Sequence, residues 1–396
     1  MLSKLQRRIT FAPVQMDDGE PPGMVNRGRN LCFAISSLQC IFRTPEMGYL
    51  MEDWLTNSTL LMSNSEEDFL LSFLNLMREC LNRNLRPTTQ ETFIRLCRTF
   101  MPQLVAAPSS PQEQQDAAEF TMTLLNILHK ILNSRRKKNK SNPECGASSE
   151  RNSEHLTVSI AHLTRRLLDY ILQVAYKGWE VYESYNDSPI VHLFTGQTAD
   201  VHQCTTCLKT SIRTQIFNIL PISILQVQRA GSNVPIRLFD LLASFSEAGR
   251  MDSRNSRSEL ELQAGPICNM PEHTSWLNRT ILSQTPTSVV LQLLRFQFDS
   301  STGEAHKIKH SVHVPCNMCL PNGSGTWPQY QLYAVVVHVG ARSTQDGHYI
   351  AYAEERLRGK WFKFDDEVVS VVPDMEGELR TPFLMENAYL LFYRKT

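Results

Sequence analysis

The segment Gly347-His348-Tyr349-Ile350-Ala351-Tyr352-Ala353 and the run after it, Trp361-Phe362-Lys363-Phe364-Asp365-Asp366, decide how the rest of the chain is read. Both are rich in aromatic or apolar residues, and the polar turn Glu355-Arg356-Leu357-Arg358-Gly359 separates them. They predict two antiparallel strands, about 347–354 and 360–369. A hairpin centred between Arg356 and Leu357 pairs position n with position 713 − n, which sets His348 opposite Asp365. Directly opposed residues hold their Cβ atoms roughly 4.5–5.5 Å apart, within reach of an imidazole–carboxylate hydrogen bond. A bulge at Gly359 would slip the register by one or two residues and still leave the two groups close. Such a pair either orients a catalytic imidazole or is an ordinary cross-strand surface pair. A nucleophile elsewhere in the chain separates the two readings.

Cys32 is the candidate nucleophile. It opens Cys32-Phe-Ala-Ile-Ser-Ser-Leu-Gln-Cys40-Ile-Phe42, in which Ile35, Leu38, Ile41 and Phe42 fit one helical face, after the loop Gly23-Met-Val-Asn-Arg-Gly28. A cysteine in the first turn of a helix feels the positive end of the macrodipole and uncapped backbone N–H groups, which favour thiolate and can later hold an oxyanion. Alone, Cys32 reads equally as a small buried hydrophobe. Cys40, at mid-helix, reads as core.

Composition narrows the class. The 396 residues carry 40 basic and 40 acidic side chains, so no whole-chain basic field draws in nucleic acid. Apolar runs such as Ala334–Val337 and Ala388–Tyr393 fall far short of the ~20 residues of a membrane helix. Ten cysteines are too few for a disulfide scaffold of this length, and Met1–Val14 lacks an apolar signal core. The expectation is a soluble protein with reduced thiols, in the cytoplasm, the nucleus or both. Periodicity predicts helices around Phe69–Leu81 and Phe120–Ile131, and strands from about residue 190 onward, an α+β arrangement with a site between two lobes. Asn133–Glu154, with Arg135-Arg136-Lys137-Lys138, and Glu247–Gly265 read as polar insertions. The basic tetrad is either a nuclear address or a solvated loop.

Taken together, these motifs resemble those of the ubiquitin-specific proteases, the papain-like cysteine deubiquitinases. Gly23–Gly28 with Cys32–Cys40 is similar to that family's cysteine box, and Pro111-Gln-Glu-Gln114-Gln115-Asp116-Ala-Ala-Glu-Phe120 to its Gln-Gln-Asp box. Phe194–Gln197 with Cys204-Thr-Thr-Cys207 resembles the start of its fingers, and Tyr330–Gly340, Gly347–Tyr352 and Ala388–Tyr393 its histidine box and last strand. The resemblance implies a hand fold with helical thumb, β fingers and β palm. After an N-terminal extension, 1–22, it places a catalytic domain at 23–394: thumb about 23–190, fingers about 191–285 and palm about 286–394. It implies Cys32 as nucleophile, His348 as base and acid, Asp365 as orienter, Asn26 as oxyanion donor and Asp366 as its helper. Gln115 and Asp116 would meet the basic C-terminal tail of ubiquitin or a ubiquitin-like modifier, and Tyr349 would wall a passage narrow enough to demand Gly-Gly. The implied activity is a thiol-dependent isopeptidase needing no catalytic cofactor and neither nucleic acid nor membrane. The compact build and Tyr330–Tyr393 look most like the branch acting on the interferon-induced two-domain modifier.

The chain also departs from the pattern. Asn26 lies one residue farther from Cys32 than usual, with Asn30 as a substitute donor; Ile35 and Ala118 replace a customary asparagine and histidine. Cys204 and Cys207 have zinc-ligand spacing, but the second knuckle offers only Cys268, with His273 as a conceivable fourth ligand. Cys316 and Cys319 read as core. These departures keep open a second reading, a weak or inactive hand-fold scaffold that binds a ubiquitin-like or other partner.

Overall fold

The computed structural model describes residues 19–26, 30–58, 60–106, 113–136, 165–224, 234–246, 249–252, 275–299, 304–320, 326–340, 347–355 and 358–396. Seven helices come first: α1 Cys32–Phe42, α2 Met47–Asn57, α3 Asn64–Leu81, α4 Pro87–Phe100, α5 Ala117–Leu132, α6 Arg165–Tyr185 and α7 Pro189–Phe194. Their starts follow local chemistry. Ser63 and Glu66 form a reciprocal capping box on α3, Asp116 caps α5, and Pro87 opens α4, where its missing N–H costs nothing.

Two sheets follow. Strands β1 Gly196–Cys204, β2 Thr210–Phe217, β5 Gly249–Asp252 and β6 Ser275–Gln284 form a four-stranded sheet in the order β2-β1-β6-β5. Strand β5 is a correction, since 249–252 falls inside the stretch expected to be an unstructured polar insertion. Helix α6 covers one face of this sheet through Leu167, Ile171 and Ala175 against Ala199 and Val201. The larger sheet runs β15-β14-β13-β12-β16-β7-β3, with β11 (Asn317–Cys319) beside β12. Its members are β3 Leu220–Ser223, β7 Ser288–Leu294, β12 Gln329–Val339, β13 His348–Glu355, β14 Lys360–Asp365, β15 Val368–Val372 and β16 Ala388–Lys395.

The middle of the large sheet is buried on both faces, which explains the unbroken apolar run of β12. Period-two alternation sends Tyr349, Ala351 and Ala353 toward the helices and Ile350 and Tyr352 to a second core on the far side. Helix α1 lies between the other helices and this sheet, and all eleven of its residues are buried. The single apolar face expected of it is therefore only part of what packs: Ser36, Ser37 and Gln39 are buried too.

The hairpin register differs from expectation by two residues. Glu355 pairs with Lys360 and Ala351 with Phe364, so position n faces 715 − n. Glu355 and Lys360 are the last pair before the connection, and Gly359 beside it adopts φ +60, a left-handed conformation that glycine takes without strain. An even shift keeps every side chain on its expected face. Cys319 is exposed and Cys316 half-buried, which corrects their reading as core. Among the described residues no helix is long and apolar enough to cross a membrane.

One buried cation ties this sheet to the chain around it. Arg295, 0% exposed, donates from Nε to the Ala388 carbonyl at 2.6 Å, from Nη1 to Ile308 and His310 at 3.0 and 2.9 Å, and from Nη2 to Met385 at 2.6 Å. Replacing it by methionine keeps the bulk but leaves these carbonyls unpaired. Arg295→Met should therefore lose about 3 kcal/mol or more in equilibrium urea unfolding; an unchanged midpoint would refute the clamp.

Candidate active site

Cys32 sits at the first turn of α1, 3% exposed, behind an N-cap, Leu31, that makes no side-chain capping bond. The positive end of the helix is thus left uncapped at the sulfur. His348 begins β13, the strand packed against α1, close enough to Cys32 for the thiol to shift its pKa. Its Nε2 lies 2.6 Å from Asp365 Oδ1, which leaves Nδ1 for the sulfur. The structure thus brings together the three side chains singled out at residues 32, 348 and 365. Gly347 holds φ +136, and a Cβ there would lie 2.3 Å from the Val339 carbonyl oxygen, so only glycine lets the chain enter β13 this closely before the histidine.

The imidazole is tuned toward its charged form. Its pKa is raised to about 9, first by the hydrogen bond to Cys32, against burial, with Asp365 adding a further upward pull. A raised pKa keeps an imidazolium at neutral pH, ready to give its proton to a leaving group.

Asn26 is held beside this pair despite the longer spacing. Its Oδ1 accepts the Leu31 N–H at 2.8 Å, and its Nδ2 donates to Asp366 Oδ2 at 2.8 Å. Its own N–H donates to Glu367 Oε1 at 3.2 Å, and the Met24 N–H to the Asp366 carbonyl at 2.9 Å. On the other side Gln90 exchanges two hydrogen bonds with the backbone of Val25. The segment is strapped between α4 and the β14–β15 turn, where Asp366 takes φ 53 as its short polar side chain tolerates. The amide bond to Asp366 uses one Nδ2 hydrogen and leaves the other for an oxyanion. Burial raises the Asp366 carboxyl, opposed by Asn26 and His348. Asn30, with φ 47, is exposed. Glu367 has no counterpart in the sequence reading; nothing in a one-dimensional pattern marks an exposed turn glutamate as a backbone acceptor.

Asp116 Oδ1 accepts the N–H groups of Ala118 and Glu119 at 2.6 and 3.2 Å, and Oδ2 accepts the Tyr389 hydroxyl at 2.6 Å. Burial pushes its carboxyl up. A carboxylate offers about four acceptor positions, so one stays available. Gln115, beside it, is half-buried. Tyr349 departs from expectation. It is 1% exposed, its ring edge-on to His338 at 4.7 Å, because strand alternation turns it away from His348 and into the core. It therefore supports any passage from beneath instead of forming its wall.

Cys204 is buried at the end of β1 and Cys207 exposed in the following turn; Cys268 and His273 lie outside the described residues. Two thiolates suit zinc but do not by themselves complete a tetrahedral site. Cys316 sits at the bend before the short strand β11 and Cys319 at its end, exposed.

The imidazole predicts its own titration. An NMR titration should place the His348 midpoint near 9. Cys32→Ala should lower it most and Asp365→Asn by less; a midpoint near the unperturbed ~6.5 would dissolve the pair.

The family model for ubiquitin carboxyl-terminal hydrolase matches residues 22–393. Relatives include the Drosophila melanogaster ubiquitin carboxyl-terminal hydrolase Usp2, 26% identical over 94% of this chain and 35% of its own. The human ubiquitin carboxyl-terminal hydrolase 2 is 27% identical over 94% of this chain and 54% of its own. A probable ubiquitin carboxyl-terminal hydrolase 4 of Schizosaccharomyces pombe is 25% identical over 95% and 59%. The chain thus spans little more than half the length of these relatives, or less. In fold it is similar to the SAGA Ubp8/Sgf11/Sus1/Sgf73 DUB module bound to ubiquitin aldehyde, with a TM-score of 0.62 at 20% identity, covering 95% of this chain and 69% of that one.

Proposed function

Because this chain belongs to the ubiquitin carboxyl-terminal hydrolase family, we propose that it is a thiol-dependent isopeptidase that cleaves after the terminal glycine of ubiquitin. The observation that carries this is the Cys32–His348–Asp365 arrangement, with the His348 imidazolium held charged between a thiol and a carboxylate. The Cys32 proton passes to His348 to form that imidazolium, the resulting thiolate attacks the glycine carbonyl carbon, and the tetrahedral oxyanion is held by the second Nδ2 hydrogen of Asn26 and the uncapped start of α1. The C–N bond breaks as His348 gives its proton to the departing lysine amine, leaving a thioester on Cys32. His348, now neutral, takes a proton from water. The hydroxide adds to the thioester, and Cys32 leaves as the thiolate with the modifier's carboxyl group released. Asp365 fixes the ring orientation throughout, and Asp366 orients the Asn26 amide. Gln115 and Asp116 meet the basic tail of the modifier. The free Cys32 thiol suits a reducing compartment, the cytoplasm or nucleus.

The finer assignment, to the branch acting on the two-domain interferon-induced modifier, rests on the similarity of Tyr330–Tyr393. Zinc held by Cys204 and Cys207 belongs to the same level of reading, as a structural ion with no catalytic step.

Purified protein mixed with ubiquitin bearing a C-terminal electrophile, beside the same electrophile on the two-domain modifier, tests both assignments. A covalent adduct that disappears in Cys32→Ala is expected, and the modifier that reacts faster identifies the substrate. Asp365→Asn should retain ubiquitin binding while slowing turnover ~10²-fold or more. Folded protein that binds ubiquitin but forms no adduct would replace catalysis with the scaffold reading.

A further inference from the structure

Tyr389 lies at the start of β16, 1% exposed, and the proposed chemistry does not use it. Its hydroxyl donates to Asp116 Oδ2 at 2.6 Å and accepts from Gln292 Nε2 of β7 at 2.8 Å. Its ring packs edge-on to Phe296 at 5.5 Å and tilted against Tyr349, the neighbour of His348, at 6.2 Å. One side chain of the palm sheet thus reaches across to the helical lobe and grips the carboxylate that caps α5.

The same helix start is fixed from a second direction. Ser37 of α1 donates to the Ala117 carbonyl at 3.2 Å, so the first residue of α5 is tied to the helix that carries Cys32. Asp116 therefore has its position set by three bodies: its own helix through Oδ1, the nucleophile helix through Ala117, and the large sheet through Tyr389. Without the Tyr389 bond, Oδ2 is free to rotate toward water, and the fourth acceptor position is no longer held in one direction. The burial that raises the Asp116 carboxyl makes a hydroxyl donor the suitable partner, because it stabilises the anion without adding a competing positive charge.

We propose that Tyr389 is a positioning residue for substrate affinity: by holding Asp116 Oδ2 it aims the remaining acceptor of that carboxylate at an N–H of the modifier's extended C-terminal tail. This rests on the isopeptidase reading above and adds to it the residue that spans the two lobes. The tail is bound before the chemistry, so loss of the aim weakens binding and leaves the Cys32–His348 pair untouched.

The test uses the full chain and ubiquitin carrying a C-terminal fluorogenic amide. Tyr389→Phe should raise KM about tenfold and keep kcat within about twofold. Asp116→Asn keeps an acceptor for the α5 cap and removes the aimed carboxylate. If Tyr389 acts through Asp116, the double variant should be little worse than Asp116→Asn alone, a non-additivity that general loosening of the fold would not produce. Direct titration of ubiquitin onto Cys32→Ala and Cys32→Ala/Tyr389→Phe should show the same rise in Kd, about tenfold, on loss of the hydroxyl. An unchanged KM and Kd in Tyr389→Phe, or strictly additive effects in the double variant, would overturn the proposal while the isopeptidase reading stands. Absence of turnover in the wild-type chain would instead remove that reading, and this inference with it.

Discussion

The hydrogen bond between His348 Nε2 and Asp365 Oδ1 depends on where two strands end, and much of the fold serves to set those ends. Regular pairing of β13 with β14 stops at Ala351 and Phe364, three residues after His348 and one before Asp365. Beyond that point the strands are no longer held in register, and the two side chains meet across the opened end of the hairpin. At the other end Glu355 is fixed by Arg83 at 2.7 Å, a largely buried ion pair that ties the hairpin to the end of α3. The turn that follows Asp365 brings Asp366 and Glu367 onto Asn26. A single hairpin and the turn after it therefore carry His348, Asp365 and the anchors of Asn26.

Helix α1 supplies the remaining partner by an unusual degree of burial. A helix with one apolar face can slide or rotate on its neighbour, whereas α1 is enclosed by helices on one side and by the sheet on the other. Buried hydroxyls along it find local acceptors: Ser36 donates to the Phe33 carbonyl and Ser37 to the Phe33 and Ala117 carbonyls, while at its C-cap Arg43 donates to the Gln39 carbonyl at 3.0 Å and stacks over Phe364 at 4.2 Å with its Nε unpaired. Burial of this kind costs little only when each donor finds an acceptor. The sulfur at the helix start is thereby held in one place relative to β13.

Legibility in the sequence followed the range of the interaction. Cys32, His348 and Asp365 could be picked out because helix-start context and hairpin pairing are local properties of short segments. Helix α6 and the strand it covers through Leu167, Ile171 and Ala175 were not read from the sequence, because the contact joins segments some thirty residues apart. Tyr349 was misplaced because adjacency to the base suggested exposure, while alternation along β13 sends neighbouring residues to opposite faces. Tyr389 looked like one more core aromatic, since its partner Asp116 lies more than 270 positions away in sequence.

What the sequence determined by itself is the α+β class, the separation of helices from strands and the choice of Cys32, His348 and Asp365 as candidates, because periodicity, turn residues and helix starts act over a few residues. The tertiary structure alone decided the two-residue register shift, the strapping of Asn26, the burial of Tyr349 and the bridge from Tyr389 to Asp116. Each of these depends on which distant surfaces are pressed together, and close packing leaves room for one arrangement of those surfaces that no local pattern encodes.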